Sequence, residues 1–105
     1  MKDFNKYQAF TSTTVLESVK DCTHYFALGL SGEVGEVNEI VKKLIRDGGD
    51  IPYEKLILEL GDVLYYLSQV AACFHISMTD VANANINKLT SRKERGVIGG
   101  SGDNR

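Results

Sequence analysis

Acidic residues stand where two long helices of this chain should carry their apolar faces. On a helix turning about 100° per residue, Phe26, Leu30, Val37, Ile40 and Leu44 form one stripe, with Glu33 in its middle and Glu36 at its edge. In the next helical stretch Leu56, Val63, Leu67, Val70 and Phe74 form a second stripe, with Glu59 near its centre and Asp62 beside it. An ionised carboxylate buried without a partner costs several kcal/mol, so four on two inward faces require protons, basic residues or metal ions to neutralise them. A single Glu-x-x-Glu pair ordinarily lies on a solvated helix surface or pairs with lysines. Here two pairs, each set into an apolar stripe, flank a Gly48-Gly49 turn that can fold the helices antiparallel into an oxygen-rich cage. Hard cations prefer such a cage, and magnesium in particular combines a few carboxylates with waters and substrate phosphates.

The rest of the chain fits an all-α class, with one proline and no strand-like alternation of useful length. A first helix is expected over about residues 3–13, ending in the Thr11-Ser12-Thr13-Thr14 cluster, whose hydroxyl and β-branched residues suit a loop. A second begins after Asp21 or Thr23, either of which can cap it, and runs to Asp47 before Gly48-Gly49. Pro52 fits the first turn of a third helix reaching about Phe74. Ser77-Met78-Thr79-Asp80 resembles a capping box opening a fourth, to about Glu94. The predicted division is a helical domain over 1–95 and a flexible glycine-rich tail over 96–105.

Composition narrows the function classes. A net charge of -2 gives no basic footprint for nucleic acid. Cys22 and Cys73 form no CxxC pair, which argues against a zinc knuckle and for reduced thiols in the cytoplasm. The N-terminus opens no apolar leader, and no apolar run is expected to approach the roughly 20 residues of a membrane span.

Glu33-x-x-Glu36, a 22-residue spacer and Glu59-x-x-Asp62 resemble the signature of the MazG-like, all-α nucleoside triphosphate pyrophosphohydrolases. The likeness extends through 29–37 (GLSGEVGEV), 46–49 (RDGG) and 59–67 (ELGDVLYYL). Asn85, Lys88-Leu89 and Arg92 look like the family's fourth-helix pattern, and 95–105 is similar to the ending of a single-domain, phage or bacterial branch. The resemblance implies a four-helix bundle completed by dimerisation, as a homodimer or homotetramer. It implies that Glu33, Glu36, Glu59 and Asp62 hold Mg2+, with Mn2+ as an alternative, and form the catalytic set. A nucleoside triphosphate is then attacked by metal-activated water at the α-phosphorus, giving the monophosphate and pyrophosphate. Some family members carry an extra acid where this chain has Gly32, which leaves the general base open.

Further residues are candidates for substrate contact. Lys43 lies two turns beyond Glu36 on nearly the same face, a candidate for phosphate or else a surface lysine, whereas Lys42 points to solvent. Asn85, Lys88 and Arg92 share one side of the fourth helix, offering an amide and two cations to triphosphate oxygens, or closing the acid cage by ion pairing. Tyr66 follows Asp62 by one turn, so that its ring can stack on a base or pack in the core, while Tyr65 points elsewhere. His24 and His75 have no partner at metal spacing. Arg95 and Arg105 with the tail glycines can fold over a neighbouring site or remain disordered. The competing class is a non-catalytic helical module that binds a nucleotide or protein and keeps a structural metal site. It would show ligand-induced stabilisation without turnover.

Overall fold

The computed structural model describes residues 3–102, so Arg105 and the first two residues lie outside the account that follows. Four helices appear in order, α1 (Phe4–Ser12), α2 (Thr23–Asp47), α3 (Tyr53–Cys73) and α4 (Met78–Arg95), with a short 3-10 turn at Glu17–Val19 and no strand among the described residues. The all-α expectation holds, and the 3-10 turn is an addition to it.

Local chemistry accounts for most boundaries. Asp3 caps α1 by accepting from Lys6 N at 2.8 Å. At its other end the hydroxyls of Thr11, Thr13 and Thr14 donate back to the carbonyls of Gln8, Phe10 and Thr11, competing with helix propagation as that cluster predicts. Ser77 caps α4, its Oγ accepting from Asp80 N at 3.1 Å. Gly96 closes α4 in the left-handed conformation at φ 71°.

Two expected caps differ. Neither Asp21 nor Thr23 caps α2: Cys22 occupies that position without a side-chain bond, because Asp21 takes the left-handed conformation at φ 63° and belongs to the preceding loop. Pro52 stands one residue before the first turn of α3, where its carbonyl accepts from Leu56 N at 2.9 Å. Between them Gly48 and Gly49 have φ of 70° and 93°, so the reversal from α2 into α3 uses backbone that favours glycine.

The antiparallel α2–α3 hairpin is the principal packing unit; α1 lies against α3, and α4 packs on α1 and scarcely touches α2 or α3. Phe26, Ile40, Ala71 and Met78 are buried between these elements. The seam between α1 and the remainder is polar. Gln8 donates through Nε2 to the carbonyls of Ser68 (3.1 Å) and Ile76 (3.0 Å) and accepts from Met78 N (3.1 Å), tying α1 to the end of α3 and the start of α4. Gln69 donates to Thr11 Oγ1 at 2.8 Å and Ser12 Oγ at 3.1 Å. These bonds explain how two amides enter a small core without an unpaired-polar penalty.

One chain leaves much apolar surface uncovered. Its accessible surface is 7686 Å², against about 5,800 Å² for a compact monomer of this mass. Its radius of gyration is 16.5 Å, against about 13 Å for a compact domain of this length. Leu28, Ile45, Ile57 and Leu58 are each more than 60% exposed, and so is Phe74, which the second stripe places inward. The 21-residue α3 is apolar enough on average to cross a membrane, which corrects the expectation that no segment approaches that limit. Glu59 and Asp62 sit mid-helix, their carboxylates converging with that of Glu33 on α2.

Candidate metal centre

The sequence places Glu33 and Glu36 on α2, and Glu59 and Asp62 on α3, about midway along each helix. Because the helices run antiparallel, Glu33 comes opposite Asp62 and Glu59. Carboxylate oxygens of Glu33, Glu59 and Asp62 all lie within 4.8 Å of one another. Glu33 and Glu59 are half-buried, and Asp62 is exposed at the mouth. Glu36, one turn further along α2, is exposed; it stands outside this group of three but adds to the negative potential at Glu33. Thus the inward placement expected for all four acids applies to Glu33 and Glu59, and the other two line the solvent side.

Crowding is visible in the protonation behaviour of Glu33. Its carboxyl is held above its ordinary value by partial desolvation first, then by the charges of Asp62 and Glu59, a hydrogen bond with Glu59, and the charge of Glu36. A cation held by these three carboxylates would offset the mutual repulsion of their charges. All donors are carboxylate oxygens, without sulfur or imidazole, which fits magnesium or manganese and not a thiolate-seeking metal.

A group of aromatic rings packs one turn along the hairpin from the cluster. Tyr66 lies with its ring directly over Gly29 of α2 and contacts Tyr25, Phe26 and Tyr65 at centroid separations of 6.2, 6.4 and 5.1 Å. A hydrogen bond with Tyr25, then burial, and the nearby charge of Glu33 push its hydroxyl up to about 12, so it stays neutral. Tyr65, which the sequence directs away from the site, packs edge-on against Tyr66. Tyr7 of α1 was not a sequence candidate, yet burial, the Asp62 charge and Tyr65 all raise its hydroxyl, placing it at the edge of the same cluster.

The remaining candidates are dispersed. Lys43 lines a cavity of about 260 Å³ at the hairpin turn with Ile40, Leu44, Pro52 and Lys55, while Lys42 forms a surface ion pair with Glu39 at 3.1 Å. Asn85 and Lys88 are exposed on α4 beside a shallow groove, on a helix that scarcely touches the acid-bearing pair. Arg92 is buried where the tail returns over it, its Nη2 donating to the Gly102 carbonyl at 3.2 Å. His24 and His75 are exposed and outside the cluster; His75 serves the turn after α3 at φ 58°. The polar seam of Gln8, Thr11 and Gln69 escaped sequence reading altogether, because nothing in the local pattern pairs residues roughly sixty positions apart.

Fold and site together define an all-α domain organised around a hard-ligand carboxylate cluster. Residues 23–97 match the MazG nucleotide pyrophosphohydrolase domain. The Gene 37 protein of Mycobacterium phage L5 is 43% identical over 106 residues, spanning 92% of this chain and 93% of its own length. No solved structure matches the chain significantly. The chain belongs to the MazG nucleotide pyrophosphohydrolase domain family.

Proposed function

We propose that the protein is a magnesium-dependent nucleoside triphosphate pyrophosphohydrolase, converting a nucleoside or deoxynucleoside triphosphate and water to the monophosphate and pyrophosphate. The observation that carries this reading is the convergence of the Glu33, Glu59 and Asp62 carboxylates within 4.8 Å on a domain of this family. Those three residues, with Glu36 from the solvent side, would hold Mg2+ or Mn2+. When bound, the ion supplies positive charge against phosphate oxygens and makes water a better nucleophile. The chain's own part is to hold the carboxylates convergent on a rigid hairpin, so that the α-phosphorus meets water in line with the departing pyrophosphate. In the net reaction the bond from the α-phosphorus to the bridging oxygen breaks, and a bond from that phosphorus to the water oxygen forms.

Lys43 is assigned to phosphate oxygens, and Asn85 and Lys88 to substrate contact from α4; Arg92, buried under the returning tail, joins them once the Gly102 carbonyl releases it. Since one chain holds α4 away from its own acids, that assignment goes with a homodimer or homotetramer in which apolar α2, α3 and α4 surfaces cover each other. Free Cys22 and Cys73 fit a reducing, cytoplasmic location.

The test is pyrophosphate release from canonical, uracil-containing and oxidised nucleoside triphosphates with magnesium, comparing native protein with Glu36→Gln and Asp62→Asn. Turnover by the native chain, lost in both folded variants, supports the reading and identifies the substrate. Nucleotide-induced stabilisation without turnover supports the binding-module alternative.

A further inference from the structure

Gly29 lies one turn before Glu33 on α2, and Tyr66 one turn after Asp62 on α3. In an antiparallel pair the Gly29–Tyr66 contact therefore lies about 6 Å along the hairpin from the level of the acids. The approach is closer than any other residue type allows. A Cβ built on Gly29 falls onto Cδ1 and Cε1 of the Tyr66 ring and 2.7 Å from Cζ. Gly32 and Gly35 of α2 and Gly61 of α3, by contrast, would meet nothing within 4 Å, so the intimacy is confined to this one point.

The ring has little freedom to turn aside. Tyr65 meets it edge-on at 90°, Phe26 lies on one flank with an interplanar angle of 49°, and Tyr25 lies at 58°. Carbon atoms in contact prefer about 3.5–4.0 Å, so a methyl group here drives helix and ring apart by more than about 1 Å. Magnesium demands oxygen ligands at about 2.0–2.1 Å in near-ideal octahedral geometry, which makes a shift of that size matter one turn away.

We propose that Gly29 and Tyr66 are a positioning pair: the ring seated on the α2 backbone sets the α2–α3 separation at Glu33 and Asp62, and through it the affinity of the acid cluster for a divalent cation. The inference rests on the reading of that cluster as a cation site, and neither residue touches the ion. What matters is the ring as a spacer. Removing it lets the helices shift, and enlarging Gly29 pushes them apart.

The experiment is calorimetric titration of the full chain with Mn2+, without nucleotide, alongside circular dichroism of every variant. Native protein binds, and Glu33→Gln binds at least tenfold more weakly. Gly29→Ala weakens binding at least tenfold with the helical signal retained. Tyr66→Phe, which keeps the ring, stays within twofold of native, and Tyr66→Leu weakens binding at least fivefold. Gly29→Ala combined with Tyr66→Leu binds more tightly than Gly29→Ala alone, because the methyl occupies space the ring has left. A folded Gly29→Ala protein with native affinity overturns the proposal, as does Tyr66→Phe binding as weakly as Tyr66→Leu. If Gly29→Ala loses its helical signal, the Phe and Leu variants decide by the same thresholds. A native protein that binds no Mn2+, or a Glu33→Gln variant that binds as well as native, removes the cation reading and this inference with it. Loss confined to Gly29 and Tyr66 predictions removes the inference alone.

Discussion

Gln69 of α3 donates through Nε2 to Oγ1 of Thr11 on α1 at 2.8 Å, a buried bond between residues that are 5% and 1% exposed. Thr11 is itself tied to its own helix by donation to the Gln8 carbonyl at 2.7 Å, so the acceptor is held in place.

Replacing Gln69 with Leu leaves the Thr11 oxygen without its donor and the seam mismatched. Loss of one partner of a buried hydrogen bond costs about 1–3 kcal/mol, which for a domain of this size lowers Tm by roughly 4–8 °C per kcal/mol. Thr11→Val should cost less, because Gln69 keeps Ser12 Oγ at 3.1 Å. The double variant should lose less than the two single losses added together, and thermal unfolding of all four proteins gives the coupling. Full additivity would show that the bond contributes nothing of its own.

Glu59→Gln should separate function from stability in opposite directions. It deletes one member of the carboxylate group and a charge that crowds Glu33. Turnover should fall at least a hundredfold, while the chelator-treated variant melts a few degrees above chelator-treated native protein at pH 7. Equal melting of the two metal-free proteins would mean the acids do not repel one another appreciably.

Metal-free stability should depend on pH in the direction opposite to an ion-paired acid. Glu33 is raised above its ordinary 4.5 by desolvation, then Asp62, Glu59 and Glu36, with the neutral Tyr66 hydroxyl nearby. A proton bound more tightly in the folded state stabilises it. That stabilisation is fully present below 4.5 and is lost as pH rises through the raised value. Denaturation in chelator should therefore show stability declining across this window, and Glu33→Gln should flatten the decline. Saturating magnesium should oppose it, since the cation binds the ionised form.

Association should be required for full activity. The exposed surface exceeds that of a compact monomer by an amount in the range that obligate interfaces bury. Specific activity should fall on dilution, in step with dissociation observed by sedimentation. Ile57→Lys, at a residue 66% exposed in one chain, should weaken association at least tenfold. Constant specific activity over a thousandfold dilution, with a monomer throughout, would contradict this.

The sequence made some of this legible because the information is local. The acids betray themselves by interrupting an apolar period, and Asp3, Ser77 and Gly96 end helices through bonds to neighbours within a few residues. Asp21 and Thr23 both have side chains suited to capping α2, but the left-handed backbone of Asp21 keeps it in the preceding loop and Cys22 takes the cap position. Tyr66 and Gly29 look unrelated until antiparallel pairing brings them together, and the same is true of Gln8 with Ser68 and Ile76. Asn85, Lys88 and Arg92 share a helix face in the sequence, but whether that face meets acids is decided by how α4 docks, and it docks on α1.

The two-glycine reversal after α2 has a consequence for what can be inserted into this chain. Surface connections generally accept added residues at small thermodynamic cost. After Gly48-Gly49 the phase between the two helices is held by their packing on one another. Each residue that lengthening this turn feeds into α3 rotates Glu59 and Asp62 by about 100° around their axis and advances them about 1.5 Å. Only added residues that enter α3 turn the acid pair away from α2, and they turn the apolar contacts of α3 with it; residues absorbed in the loop leave Glu59 and Asp62 opposite Glu33.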